Sequence, residues 1–204
     1  MQNTSHAVMA QRVEPKDSAD DFPTPPWATR ALVDHVLDDK NALRRMSCLE
    51  PACGAGHMAK VLKEYFGEVQ AFDAYHYGYS PVRDFLHYPC ETNSVDWVIT
   101  NPPFRLAEEF VLRALPIARR GVAILARTVF LESVGRYKMI FRDNPPSKFS
   151  PFAERVPMLK GRLDPRGSTA TSYAWFVWEK DAAFHARVVW VSPCRRQLEG
   201  SDDY

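Results

Sequence analysis

The chain has 204 residues, 46% of them hydrophobic, and a net charge of +1. This is enough apolar material for one domain with a real core, and a near-neutral chain exerts no global pull on nucleic acid or membranes, so any basic surface has to be local. Four scattered cysteines, Cys48, Cys53, Cys90 and Cys194, form no Cys-x-x-Cys pair, which argues against a zinc site or a disulfide framework and for a reducing cytoplasm. No apolar stretch approaches membrane-spanning length and the polar N-terminus lacks a signal-peptide core, so a soluble cytoplasmic protein is expected.

Residues 1–21 are polar and aperiodic and read as a flexible arm. Residues 26–37 read as a helix, with Pro26 in its first turn and Ala28, Ala31, Leu32, His35 and Val36 as a mixed apolar face. Residues 46–50 form a short strand. Gly54-Ala55-Gly56 then turns into a helix carrying Met58, Val61, Leu62 and Phe66, which Gly67 ends. Residues 69–73 are the next strand, and 74–90 are irregular and aromatic-rich. Residues 95–100 are a buried strand, 106–117 a helix, and 121–126 a strand apolar on both faces. Residues 130–141 read as helical. Residues 142–172 are a long loop, and 173–178 and 187–191 are two late strands that could pair as an antiparallel hairpin. The tail from Arg195 is polar.

Strands alternating with helices predict an α/β fold with a mostly parallel sheet. Ligands in such sheets bind at the carboxyl ends of the strands, near the switch point, and the chemically suggestive motifs all fall at predicted strand ends. Sixteen prolines, many clustered, point to fixed loops. In an enzyme such loops often shape a binding site; for Pro145-Pro146 and for Pro151 and Pro157, ordinary surface connectors are an equal reading.

The first such motif is Glu50-Pro51-Ala52-Cys53-Gly54-Ala55-Gly56, directly after a strand. Its glycines permit positive φ and close backbone approach to a ligand, and it leads into a helix N-terminus that attracts anions. The full dinucleotide pattern is absent, because Ala59 stands where a third glycine would be. The second, Asn101-Pro102-Pro103-Phe104, follows the strand 95–100. An exocyclic amine on an aromatic ring is a poor nucleophile because its lone pair is delocalised. The Asn101 side-chain oxygen and the Pro102 carbonyl can accept hydrogen bonds from both of its N–H groups, which favours the pyramidal nitrogen of the transition state. The two prolines lock the backbone, and Phe104 offers a ring for stacking on an extruded base. A plain turn after a strand is the alternative reading.

Taken together, these motifs resemble those of the class I S-adenosylmethionine-dependent methyltransferases. The resemblance implies a three-layer, Rossmann-like, doubly wound sheet, mostly parallel with an antiparallel late strand. Within it, Glu50, Pro51, Ala52, Gly54 and Gly56 would form the first cofactor motif, Asp73 would hold the ribose hydroxyls, and Asp84-Phe85 would meet the adenine of S-adenosylmethionine. Upstream, Asp21-Phe22-Pro23-Thr24-Pro25-Pro26-Trp27 is similar to a segment that packs over the methionine part of the cofactor in amino-type DNA methyltransferases, with Thr24 on the carboxylate, beside Pro25, and Trp27 covering the site. Thr24 is otherwise a helix cap.

The Asn-Pro-Pro-aromatic motif is shared by DNA adenine-N6, some RNA base-amine and protein-glutamine methyltransferases. Over residues 21–180 the chain most resembles small phage or prophage DNA adenine methyltransferases, including residues 127–136 and Tyr173-Ala174-Trp175-Phe176-Val177-Trp178. The implied activity is methyl transfer to adenine N6 in DNA, with a short sequence context. RNA or protein-glutamine methylation, or an inactive nucleic-acid-binding subunit, are the alternatives. The methyltransferase domain is expected over 22–194. A DNA partner would meet the segment 142–172 through Arg142, Lys148, Arg155, Lys160, Arg162 and Arg166. No metal is expected.

Overall fold

A computed structural model describes residues 20–182 and 186–204. In chain order its elements are α1 (Pro26–His35), β1 (Ser47–Glu50), α2 (His57–Tyr65), β2 (Glu68–Ala71), β3 (Val95–Thr100), α3 (Ala107–Ile117), β4 (Ala118–Arg127), α4 (Val134–Arg136), β5 (Lys148–Pro151), β6 (Tyr173–Glu179), β7 (Arg187–Val188) and α5 (Arg195–Leu198). The strands make one sheet in the order β2-β1-β3-β4-β6-β5-β7. β2, β1, β3 and β4 pair in parallel, and β6 runs antiparallel to both of its neighbours, β4 and β5. This is a Rossmann-like α/β sheet. The chain leaves β1 toward β2 on one side and later enters β3 on the other, so the switch point lies between β1 and β3.

Two apolar cores sandwich the sheet. One lies against α1 and α2 and includes Trp27, Leu32, Leu62, Trp97 and Trp175. The other lies against α3 and includes Phe85, Val98, Phe110, Val111, Phe130 and Phe176. β3 and β4 feed both cores by alternation: Trp97 and Ile99 enter the first, Val98 the second. Burial on both faces explains why these strands read as continuous apolar runs. Trp175 also ties β6 to α1, its indole N–H donating to the Ala28 carbonyl at 3.0 Å.

Several elements differ from the expectation. β5 sits inside the segment expected to be a loop, because Lys148 is buried and its charge is met at 2.9 Å by Asp38 and 2.8 Å by Glu179. The late strands are not a hairpin: β6 lies between β4 and β5, and β7 pairs with β5 in parallel. The expected helix over 130–141 is broken. A 3-10 turn covers Thr128–Leu131, Ser133 takes φ 155°, and α4 runs into a π turn at Tyr137–Phe141. Ser133 stabilises the break by capping α4, its hydroxyl accepting from the N–H groups of Gly135 and Arg136. Gly67 follows α2 for a reason other than a left-handed cap: a Cβ there would lie 2.4 Å from the Arg44 carbonyl oxygen. The polar tail forms α5 and returns to α1, where Arg30 pairs with Asp203 and Glu64, each at 2.7 Å. Of the arm expected over 1–21, residues 1–19 lie outside the described residues, whereas Asp20 and Asp21 are part of the site below.

Candidate active site

A cavity of about 480 Å³ opens at the carboxyl ends of β1 and β3. Four segments build it: the strap 20–24 before α1, the turn 50–58, residues 73–77 and 84–87 after β2, and residues 101–106 after β3.

The turn after β1 supplies the floor. Glu50 is buried, and its carboxylate accepts from the Ala59 N–H, which ties the end of β1 to the first turn of α2. Its Oε2 has no hydrogen-bond partner. Burial, reinforced by repulsion from Asp73, raises the Glu50 pKa well above the carboxylate range. Gly54 and Gly56 both have positive φ, 51° and 84°, but they play different parts. A Cβ on Gly54 would meet nothing nearer than Asp21 Oδ1 at 3.7 Å, so this glycine faces the cavity. A Cβ on Gly56 would lie 2.5 Å from the Tyr79 ring, so Gly56 makes room for Tyr79 and not for a ligand. Pro51, Ala52, Cys53, His57 and Met58 line the cavity as well.

Asp73 is held by backbone donors. Oδ2 accepts from Gly54 N–H and Oδ1 from Tyr75 N–H, each at 2.9 Å. Burial raises its pKa against the pull of those bonds. Asp21 is raised too, by burial and then by Asp73, with Lys160 opposing. Glu50, Asp73 and Asp21 therefore give the cavity a carboxylate-rich half that favours a cationic guest. At the other end Phe85 forms a buried wall against Phe110, ring centroids 5.0 Å apart. Burial would raise Asp84, but its 2.6 Å bond to His87 and the Leu86 N–H hold its carboxyl below the usual range. Arg113 pins this segment by donating to the carbonyls of Phe85 and Tyr88.

Asn101 and Pro103 line the cavity, whereas Pro102 is buried behind them. The Asn101 amide donates from Nδ2 to the Phe22 carbonyl at 2.9 Å. Its Oδ1 is buried and has no hydrogen-bond partner. Leaving such an acceptor unmet costs about 1–3 kcal/mol, which a donor entering the cavity would recover. The Pro103 carbonyl accepts from Leu106 N–H at 2.9 Å, closing the turn into α3. Asp20 accepts from the Phe104 N–H at 2.6 Å, and the Phe22 and Phe104 rings lie 5.2 Å apart. The Asp21 carbonyl accepts from Gly161 N–H at 2.9 Å. The strap is thus latched to the tetrapeptide on one side and to the loop at 161 on the other.

Some site expectations need correction. Trp27 does not cover the cavity; it is fully buried in the core, edge-on to Phe152 at 5.6 Å. Thr24 does line the cavity, but the helix cap is Pro25, which lies outside the lining. Lys148 cannot meet nucleic acid, since its charge is spent inside the fold on Val36, Asp38 and Glu179. Arg142 is exposed and paired with Asp143, and Arg155 holds Ala170 and Ser172. Lys160, Arg162 and Arg166 are exposed in the loop that touches the strap. Sequence reasoning missed Asp20, Tyr75 and Tyr77 as site residues, gave Asp21 only as the start of the segment 21–27, and assigned no role to Arg113, which braces Phe85 and Tyr88, or to Arg127, which packs on Phe104. Arg127 lies with its guanidinium carbon 4.2 Å from the Phe104 ring centroid.

No family model and no curated protein sequence matches the chain. Solved structures do. A provisionally assigned class I S-adenosylmethionine-dependent methyltransferase from Listeria monocytogenes aligns over 86% of this chain and 67% of its own, with TM-score 0.58 and 13% identity. The fold is that of the class I methyltransferases. A provisionally assigned RNA methyltransferase from Pyrococcus horikoshii aligns over 82% of this chain and 91% of its own, with TM-score 0.59 and 15% identity. A modification subunit of a provisionally assigned type I restriction enzyme from Vibrio vulnificus aligns over 82% of this chain and 46% of its own, with TM-score 0.53 and 15% identity. Among the described residues no helix is long and apolar enough to cross a membrane, and no cluster of three or more His, Cys, Asp or Glu is placed to hold a metal.

Proposed function

We propose that the chain transfers a methyl group from S-adenosylmethionine to the exocyclic N6 amine of adenine in DNA. The observation that carries this reading is Asn101: its Nδ2 is committed to Phe22, and its unmet Oδ1 is left as the acceptor for a substrate N–H. The methyltransferase fold and the Glu50 to Gly56 turn support the choice of cofactor, and the similarity to a modification subunit of a provisionally assigned type I restriction enzyme supports the choice of acceptor.

The cavity fits such a cofactor. Asp73 lines the cavity and would accept from ribose hydroxyls, and the apolar, aromatic Phe85 wall would take an adenine face. The carboxylate half suits a sulfonium and an ammonium. Gly54 leaves the backbone open to close approach. The bound cofactor would supply an electrophilic methyl whose leaving group needs no acid. The protein's task is then to hold the amine, orient its lone pair and exclude water. Asn101 Oδ1 accepts one amine N–H, and that bond strengthens as the nitrogen becomes pyramidal; the N–C bond forms as the C–S bond breaks, and the methylated nitrogen then gives up one proton to solvent. The exposed Lys160, Arg162 and Arg166 would meet phosphates at the edge of the site.

The similarity to a provisionally assigned RNA methyltransferase favours a second reading, the same transfer to an RNA base amine. Incubating the purified chain with labelled cofactor and with DNA or RNA, then digesting to nucleosides for mass spectrometry, tests both. Label on N6-methyl-deoxyadenosine supports the first, and label in RNA alone selects the second.

A further inference from the structure

Three groups pack on the Phe104 ring. Tyr173, centroid 6.2 Å away, is buried in β6. Phe22, 5.2 Å away, belongs to the strap that Asn101 and Asp20 latch. The third is the Arg127 guanidinium, 4.2 Å from the centroid, on a residue that is exposed at the carboxyl end of β4. Its hydrogen bond to the Tyr173 hydroxyl helps to seat it. Tyr173 is buried and Phe22 is half-buried, and of the three neighbours Arg127 is the most exposed residue. A planar group arriving from solvent to stack on Phe104 must therefore contend with Arg127.

Guanidinium is suited to such a post. It is planar, weakly hydrated and stacks on rings, and it also forms paired hydrogen bonds to phosphate. An exposed cation–π contact is weaker than base–aromatic stacking, so an incoming base can displace it. We propose that Arg127 holds the stacking face of Phe104 in the free enzyme, and that the acceptor base displaces it onto a backbone phosphate of the nucleic acid. The inference rests on the nucleic-acid reading of the site. It makes Arg127 a positioning residue that couples base entry to a phosphate contact.

The test measures binding of a mixed-sequence DNA duplex by the full chain, with S-adenosylhomocysteine present, as a function of salt. Arg127→Ala should flatten the slope of log affinity against log salt by about 0.9, the value of one phosphate contact. Arg127→Lys, which keeps the charge, should restore the slope. By NMR, the Arg127 side-chain protons, shifted upfield by the Phe104 ring in the free protein, should lose that shift when duplex binds. Equal slopes for wild type and Arg127→Ala, or a ring-current shift that persists in the complex, overturns the assignment. If wild type binds neither DNA nor RNA, the nucleic-acid reading itself fails, which is a different result from equal slopes.

Discussion

Asn101 and Phe22 are joined by one hydrogen bond, from the Asn101 side-chain nitrogen to the Phe22 carbonyl at 2.9 Å. The bond spans 79 residues of sequence and commits the nitrogen end of the amide, while the buried oxygen end has no partner. With nitrogen bound to the strap, oxygen is the atom left to a substrate.

Replacing Asn101 with Ala should leave cofactor affinity nearly unchanged and lower kcat by about 10²–10³-fold, as for removal of one preorganised transition-state partner. Asn101→Asp should also be impaired, because a carboxylate oxygen would face the Phe22 carbonyl in place of a donor. Calorimetry with the cofactor and single-turnover methylation separate the two effects. Parallel loss of binding and turnover in Asn101→Ala contradicts the role given to it.

Glu50 should set a pH dependence. Its folded pKa is raised above the unfolded value of about 4.3, so the folded protein binds more protons and stability falls as pH rises from roughly 4 upward. Glu50→Gln removes that penalty while its oxygen can still accept from Ala59 N–H. The cofactor-free variant should therefore melt higher than wild type at neutral pH, with the gap closing toward about pH 4, and it should bind the cationic cofactor more weakly. In wild type, cofactor affinity should rise with pH as Glu50, Asp73 and Asp21 ionise. A variant less stable than wild type at neutral pH would contradict the assignment.

The two glycines of the turn should separate in mutagenesis. Alanine at either site incurs about 1–2 kcal/mol for a left-handed backbone. At Gly56 the Tyr79 ring adds a clash, so Gly56→Ala should be the less stable of the two by about 1–3 kcal/mol. Gly54→Ala should weaken cofactor binding more than its stability loss explains. Denaturant unfolding of both variants, with calorimetry for the cofactor, checks this.

Lys148→Ala should destabilise the chain by about 3 kcal/mol, toward the low end for breaking a buried pair because Asp38 is itself largely exposed. The salt dependence of nucleic-acid binding should not change. A shallower salt slope in a folded Lys148→Ala variant would return Lys148 to the interface.

What was legible in the sequence follows the range of the forces involved. β3 and α3 are written in local periodicity, and the motifs at the ends of β1 and β3 announce a site because turn chemistry is local. β5 was hidden because Lys148 reads as a surface residue until Asp38 and Glu179 are brought to it from distant parts of the chain. Trp27 reads as a lid through the resemblance of its segment 21–27, in which Phe22 and Thr24 do line the cavity, yet the first turn of α1 places it in the core. Asp20 carries no local signal, and Arg127 enters the sequence reading only as the first residue of the stretch 127–136, with no role attached. One gains its place from the Phe104 N–H, the other from the Phe104 ring.

The central claim is that the unmet Asn101 oxygen serves an adenine amine in DNA. Its most direct test is mass spectrometry of nucleosides from DNA incubated with the purified chain and methyl-labelled S-adenosylmethionine. The account predicts label on N6-methyl-deoxyadenosine, abolished in Asn101→Ala. Unlabelled DNA, with label in RNA or protein instead, would contradict it.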